Sequence, residues 1–259
     1  MSDKIRLGGM ALSNGVLVHG PRAWACAIRT DDGSLKVVAR RKRLRAADVR
    51  NPLLRGPAKL GEVFALLPLV KRALPEAKLP MERPRVVASM IGSAVVLNGL
   101  KRSGLRPAAR ELVTAVLSLA PAAMALRGGQ LAEYHGAEHM SIGAYEHGER
   151  RPKEHERCGS HLVGPMLLTN AVGNIAAGRA PLRYRGAARV AGAVGSVAAS
   201  VEIFGWMTRN PRHPVARALA KPGHELKHKL GTREPTPEQL EVAEAALHAC
   251  LELEHDPHA

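Results

Sequence analysis

The residues able to do chemistry are concentrated in one short stretch. Five of the 12 histidines fall between His135 and His161. They are interleaved with carboxylates: Glu133-Tyr134-His135-Gly136-Ala137-Glu138-His139, then Tyr145-Glu146-His147, then Glu154-His155-Glu156-Arg157-Cys158-Gly159-Ser160-His161. On a helix, His135 and His139 stand one turn apart on one face, so both imidazoles can reach one ion. Glu138 lies beside them. The spacing His-x-x-Glu-His is the inverted zinc-protease pattern, in which the carboxylate takes a proton from water polarised by the metal.

Two imidazoles are too few. A catalytic zinc takes three protein ligands and keeps a position for water, whereas a structural zinc takes four. His155 and Cys158 form a second close-spaced pair, and thiolate with imidazole favours zinc among divalent metals. The expected ligand set is therefore His135, His139, His155 and Cys158, with Glu138 as general base. Glu146, seven residues after His139, could replace Cys158 or orient a histidine, and Tyr134 could support the site from behind. His147 and His161 read as surface or supporting residues. His224 and His228, with Glu225 between them in a Lys-rich stretch, read as a solvated helix face. Cys26 and Cys250 read as packing.

Around these residues the chain resembles the bacterial YqhQ-like family, a domain of unknown function described as predicted metal-dependent enzymes. The resemblance rests on Tyr134-His135-Gly136-Ala137-Glu138-His139, on Ala144-Tyr145-Glu146-His147-Gly148, and on Arg157-Cys158-Gly159-Ser160, where Ser stands for the family's Thr. Leu7-Gly8-Gly9-Met10-Ala11 with Asn14-Gly15-Val16 is similar to its N-terminal signature. Thr232-Arg233-Glu234-Pro235 with Glu238-Gln239-Leu240-Glu241-Val242-Ala243 is similar to its C-terminal one. The resemblance implies a metal-dependent enzyme but no substrate. Asn14 stands where many members carry an acidic residue, and members are often predicted to cross a membrane several times.

The elements that must position these groups can be read from pattern. Val16–Val18, Trp24–Ile28 and Leu35–Val38 are short apolar runs separated by turn signals, Gly20-Pro21 and Asp31-Asp32-Gly33, and predict a small β region. The basic run from Arg40 to Arg55 lacks interleaved aromatics and reads as a solvated connector rather than a polyanion-binding arm. A short helix is expected over Leu60–Val70, then a linker over Leu74–Pro84 with three prolines. Helices should dominate from Val86 to about Met207. At the end, Thr236-Pro237-Glu238-Gln239 is a capping box. It opens a docking helix with Leu240, Ala243, Leu247, Cys250 and Leu251 on its apolar stripe.

Composition narrows the partners. The 259 residues carry 38 Lys+Arg against 23 Asp+Glu, a net charge of +15 that favours polyanions. Aromatics are only 3%, which argues against a base-stacking nucleic-acid module, although nucleic acid stays among the partners. Three separated cysteines argue against a disulfide-built fold. Leu7–Val18 is too rich in Gly and Asn for a signal peptide. Four apolar stretches, Val86–Leu100, Leu112–Leu126, Leu162–Gly178 and Val190–Thr208, are near the lower length limit for a membrane span. Their connecting loops are rich in arginine, which outer loops should not be, so short or re-entrant hairpins are one resolution.

The sequence thus predicts an α+β protein, mainly α: a small N-terminal β-hairpin region followed by a bundle of short, membrane-embedded or soluble helices. Four stretches are expected: 1–58 with the basic connector, 59–85 with a helix and Pro-rich linker, 86–210 carrying the site, and 211–259 with the docking helix. The leading functional reading is a zinc hydrolase at or in the cytoplasmic membrane, on anionic lipid. The alternatives are a non-catalytic membrane- or RNA-associated protein with a structural metal site, a cytoplasmic location, and a metal-free hydrogen-bonded His/Glu network.

Overall fold

Side chains on a strand alternate between faces, and here both faces are apolar. Val16, Val18, Ala25 and Ala27 form one buried set, and Leu17, Trp24, Cys26 and Ile28 the other. A sheet with two apolar faces must be covered twice. The computed structural model, which describes residues 4–43, 45–100, 104, 106–126, 130–153, 159–226 and 231–256, shows how. Four antiparallel strands, β1 (Gly8–Leu12), β2 (Gly15–His19), β3 (Ala23–Arg29) and β4 (Leu35–Arg41), lie in sequence order. The first apolar set packs under two helices, α4 (Leu131–His147) and α8 (Pro237–His255). The second packs under α1 (Pro52–Ala73).

The expected strands and turns are present, and the Asp31-Asp32-Gly33 turn closes with Gly33 at φ +83. Strand β1 has no counterpart in the sequence reading. Gly8 and Gly9 depress β propensity, but they are required where other side chains lie against the strand: a Cβ on Gly8 would stand 2.7 Å from His19 Nε2.

Helix α1 is longer than the expected Leu60–Val70 segment and runs across residue 58. Asn51 caps it, its side chain accepting from the Leu53 amide at 2.9 Å, and Pro52 occupies the first helical position. The basic run from Arg40 to Arg55 is not simply a solvated connector. Lys42 is buried in an ion pair with Glu62 and contacts His19 Nδ1 at 3.0 Å, while Arg55 pairs with Glu202. The Pro-rich linker is packed rather than loose: Leu74, Ala77 and Leu79 join the core beneath α1.

The other helices are α2 (Pro84–Leu100), α3 (Pro107–Leu126), α5 (Val163–Arg179), α6 (Arg185–Arg209) and α7 (Pro214–Leu226). Helices α2 and α3 pair as one hairpin, and α5 and α6 as another. The α8 capping box forms as read: Thr236 Oγ1 accepts from the Gln239 amide and the Gln239 side chain accepts from the Thr236 amide. Its buried face is centred on Val242, Ala243, Ala246, Leu247 and Cys250. Because α8 covers β2, β3 and β4, the two ends of the chain share one core.

Candidate metal centre

Helix α4 lies between strand β1 and α8 and carries the candidate residues. It stops at Gly148, whose φ of 76 makes the left-handed cap that ends a helix, its amide bonding to the Ala144 carbonyl at 2.8 Å. Leu131, Tyr134 and Ala137 point into the core against the sheet and α8. His135, Glu138 and His139 project from the adjoining side, and Gln239 Nε2 donates to Glu133 Oε2 at 2.9 Å to fix α4 against α8. Gly136 lets residues 231–235 lie on α4, since a Cβ there would stand 2.1 Å from the Arg233 carbonyl oxygen.

That close segment orients the first imidazole. His135 Nδ1 lies 2.6 Å from the Gly231 carbonyl oxygen, and His139 Nδ1 lies 2.7 Å from the Lys153 carbonyl oxygen. A carbonyl only accepts, so each Nδ1 carries a proton, and in the neutral ring Nε2 then carries the lone pair. Backbone carbonyls holding imidazoles in this tautomer are the usual support behind metal-binding histidines. The rings stand 4.3 Å apart, centroid to centroid.

Glu138 Oε2 completes the group, 3.6 Å from His139 Nε2 and 3.9 Å from His135 Nε2. One ligand atom from each of the three residues lies within 4.8 Å of the others, and the cluster could hold a metal ion. Ligand atoms on a tetrahedral zinc with bonds of about 2.0 Å stand about 3.3 Å apart, so the carboxylate oxygen, at 3.6 and 3.9 Å from the two Nε2 atoms, must draw closer to close around an ion. His139 and Glu138 are buried, while the His135 side chain keeps 21% of its surface exposed. The cluster therefore opens to solvent on one side.

The other candidates fall in different places. Tyr134 is buried in the core beside His135, where burial holds its phenol above the ordinary value. Glu146 is half-buried two turns further along α4 and outside the three-residue cluster. His155 and Cys158 lie outside the described residues, as does His228. His147 is exposed and its Nδ1 donates to the Gly143 carbonyl. His161 is buried rather than superficial, in the short turn Gly159–Leu162. His224 is exposed, in keeping with a solvated helix face.

Sequence reasoning missed the orienting groups, Gly231 and Lys153, because they act through backbone carbonyls that every residue possesses. It also missed the role of Gly9. A Cβ at that position would meet Glu138 Oε1 at 2.2 Å, so only a glycine lets the carboxylate lie against strand β1.

Asn14 is a scaffold residue. Its side-chain NH2 donates to the carbonyls of Arg29 and Glu76, both at 3.1 Å, and its oxygen accepts from the Lys78 amide at 2.8 Å. A carboxylate could not make the two donations.

Residues 128–253 match the family described as a protein of unknown function, DUF1385. Over these residues the chain is similar to the DUF1385 family. The DUF1385 region spans α4 to α8, hence all three clustered side chains and the Gly231 and Lys153 carbonyls that orient them. Gly9 and Asn14, from the N-terminal signature, precede it. Comparison with curated proteins and with solved structures returns no match.

Proposed function

We propose that the protein is a metal-dependent enzyme of hydrolase type, with zinc at the His135–Glu138–His139 cluster, stationed at the cytoplasmic membrane. The observation that carries this reading is the convergence of two Nε2 lone pairs and one carboxylate oxygen, each imidazole held from behind by a carbonyl. Zinc bound there supplies a Lewis acid that polarises a substrate oxygen and makes water acidic near neutral pH. His135 and His139 bind through neutral Nε2. Glu138 either completes the ligand set or accepts the proton of an attacking water, and its distances suit both roles. His155 and Cys158 are further proposed ligands: Lys153, whose carbonyl touches His139, precedes His155 by two residues.

The partial exposure of His135 favours an open, catalytic position over a closed, structural one. Cobalt substitution tests this. Acetohydroxamate added to the cobalt-loaded protein should change the visible absorption spectrum by entering the open position. A strong tetrahedral spectrum indifferent to hydroxamate would mark a closed structural site.

The membrane placement draws on two features. Leu182–Arg209 is long and apolar enough to cross a bilayer by length and composition, and the net charge of +15 suits anionic lipid.

A further inference from the structure

A water-soluble helix pair turns its apolar side chains inward and its polar ones outward. The α5/α6 hairpin does the reverse. Thr169 Oγ1 and Ser200 Oγ lie 2.8 Å apart across its seam, and Ser196 Oγ donates to the Thr169 carbonyl at 2.9 Å. Gly173 lies against Gly192 and Ser196, where a Cβ would stand 2.9 Å from Ser196 Oγ. The outer surface is apolar instead: Leu168, Val172, Ile175, Val190 and Val194 are exposed.

The α2/α3 hairpin repeats the pattern independently. Ser93 Oγ donates to the Leu117 carbonyl at 3.2 Å inside the pair, while Val87, Met90, Ile91, Val95 and Val96 face outward. Close approach through small residues, hydroxyls bonded across the seam and an apolar exterior is how helices pack in lipid.

Length agrees, and the one interior charge is paired. From Arg189 to Arg209, α6 covers about 30 Å at 1.5 Å per residue, near the hydrocarbon thickness of a bilayer. Glu202 is the one charged residue between them, and Arg55 of α1 neutralises it through two-pronged contacts of 2.6–3.0 Å. The α5/α6 tip carries Arg179, Arg183, Arg185 and Arg189, with Leu182 81% exposed among them. Tip-first insertion carries these guanidinium groups to the phosphates of the far leaflet, against the usual bias of loop charge, and pairing with those phosphates is what would hold them there. At the other end the hairpins are rooted in the globular part. Val86 of α2 and Ala125 of α3 join the core cluster with Leu131 of α4, and Gly164 of α5 lies against α7.

We infer that both hairpins insert tip-first into an anionic lipid bilayer, leaving the sheet, α8 and the His135–Glu138–His139 cluster on the side of entry. The inference rests on the membrane placement above and is independent of the metal.

The test uses full-length protein in a Cys158→Ser background with Val194→Cys, Ile91→Cys or Asp32→Cys. Each variant carries an environment-sensitive NBD label in vesicles of phosphatidylethanolamine and phosphatidylglycerol. Labels at 194 and 91 should shift to the blue and lose at least half their intensity to brominated lipid, and the label at 32 should do neither. Pure phosphatidylcholine vesicles should bind several-fold less protein, and equal binding would overturn the anionic-headgroup part. Failure to float with vesicles would overturn placement and insertion together. Flotation reversed by carbonate, with aqueous emission at 194 and 91, would overturn insertion and leave placement standing. Blue emission without quenching by brominated lipid would show a second copy of the chain covering these faces and would also overturn the inference.

Discussion

Gly9 and Glu138 are in direct apposition: a Cβ built on Gly9 of strand β1 would stand 2.2 Å from Oε1 and 2.6 Å from Cδ of the buried carboxylate. The N-terminal sheet is thereby joined to the chemistry of α4, and the N-terminal signature touches the site through a missing side chain. Gly9→Ala is expected to displace the carboxylate and weaken zinc binding about tenfold, the scale of losses from groups that position metal ligands. Competition against a chromophoric chelator measures it. Unchanged affinity would detach β1 from the centre.

Glu138→Gln preserves size and removes the charge. With Oε2 3.6 and 3.9 Å from the two Nε2 atoms, the account expects the helix to persist by circular dichroism and zinc affinity to fall at least tenfold. His147→Gln, at the exposed end of the same helix, should leave affinity unchanged. Equal affinity in Glu138→Gln and wild type would leave Glu138 as a proton acceptor only.

His19 gives the fold a pH dependence of known sign. Burial first, and the Lys42 ammonium second, push its imidazole down to about 4 from the ordinary 6.5. Between these values the unfolded chain binds a proton that the folded chain does not, so stability is lost as pH falls from about 6.5 to about 4. The full difference is on the order of 3 kcal/mol. Thermal unfolding in detergent solution at pH 7, 6 and 5 should show a falling midpoint, and His19→Gln should flatten the decline. An equally steep decline in the variant would assign the effect elsewhere.

Cys26 and Cys250 are both fully buried, and burial pushes each thiol up to about 12. A thiol reacts as its thiolate. The folded Cys158→Ser protein should therefore show no thiol reactive toward Ellman's reagent at pH 8, and two after denaturation. Rapid reaction of either thiol in the native state would contradict the packing described.

Much of this arrangement was legible in the residues. The capping box placed the start of α8, and short apolar runs between turn signals marked β2, β3 and β4. Spacing alone brought His135, Glu138 and His139 together, because a helix turn is a fixed length. Strand β1 was hidden because Gly8 and Gly9 serve contacts with His19 and Glu138 that arise only in three dimensions. Helix α1 was read too short, its first turns having been taken with the basic connector, whereas the Asn51 cap and packing against the sheet carry the helix through Pro57. Lys42 looked solvated because its partners, His19 and Glu62, are remote in sequence. The carbonyls of Gly231 and Lys153 left no mark at all in side-chain identity.

The central claim, that His135, Glu138 and His139 hold one divalent ion, is tested most directly by elemental analysis. Full-length protein purified in detergent without chelators should contain about one zinc per chain, and the His135→Ala/His139→Ala variant, folded by circular dichroism, almost none. Metal near zero in both proteins, or the same content in both, would contradict it.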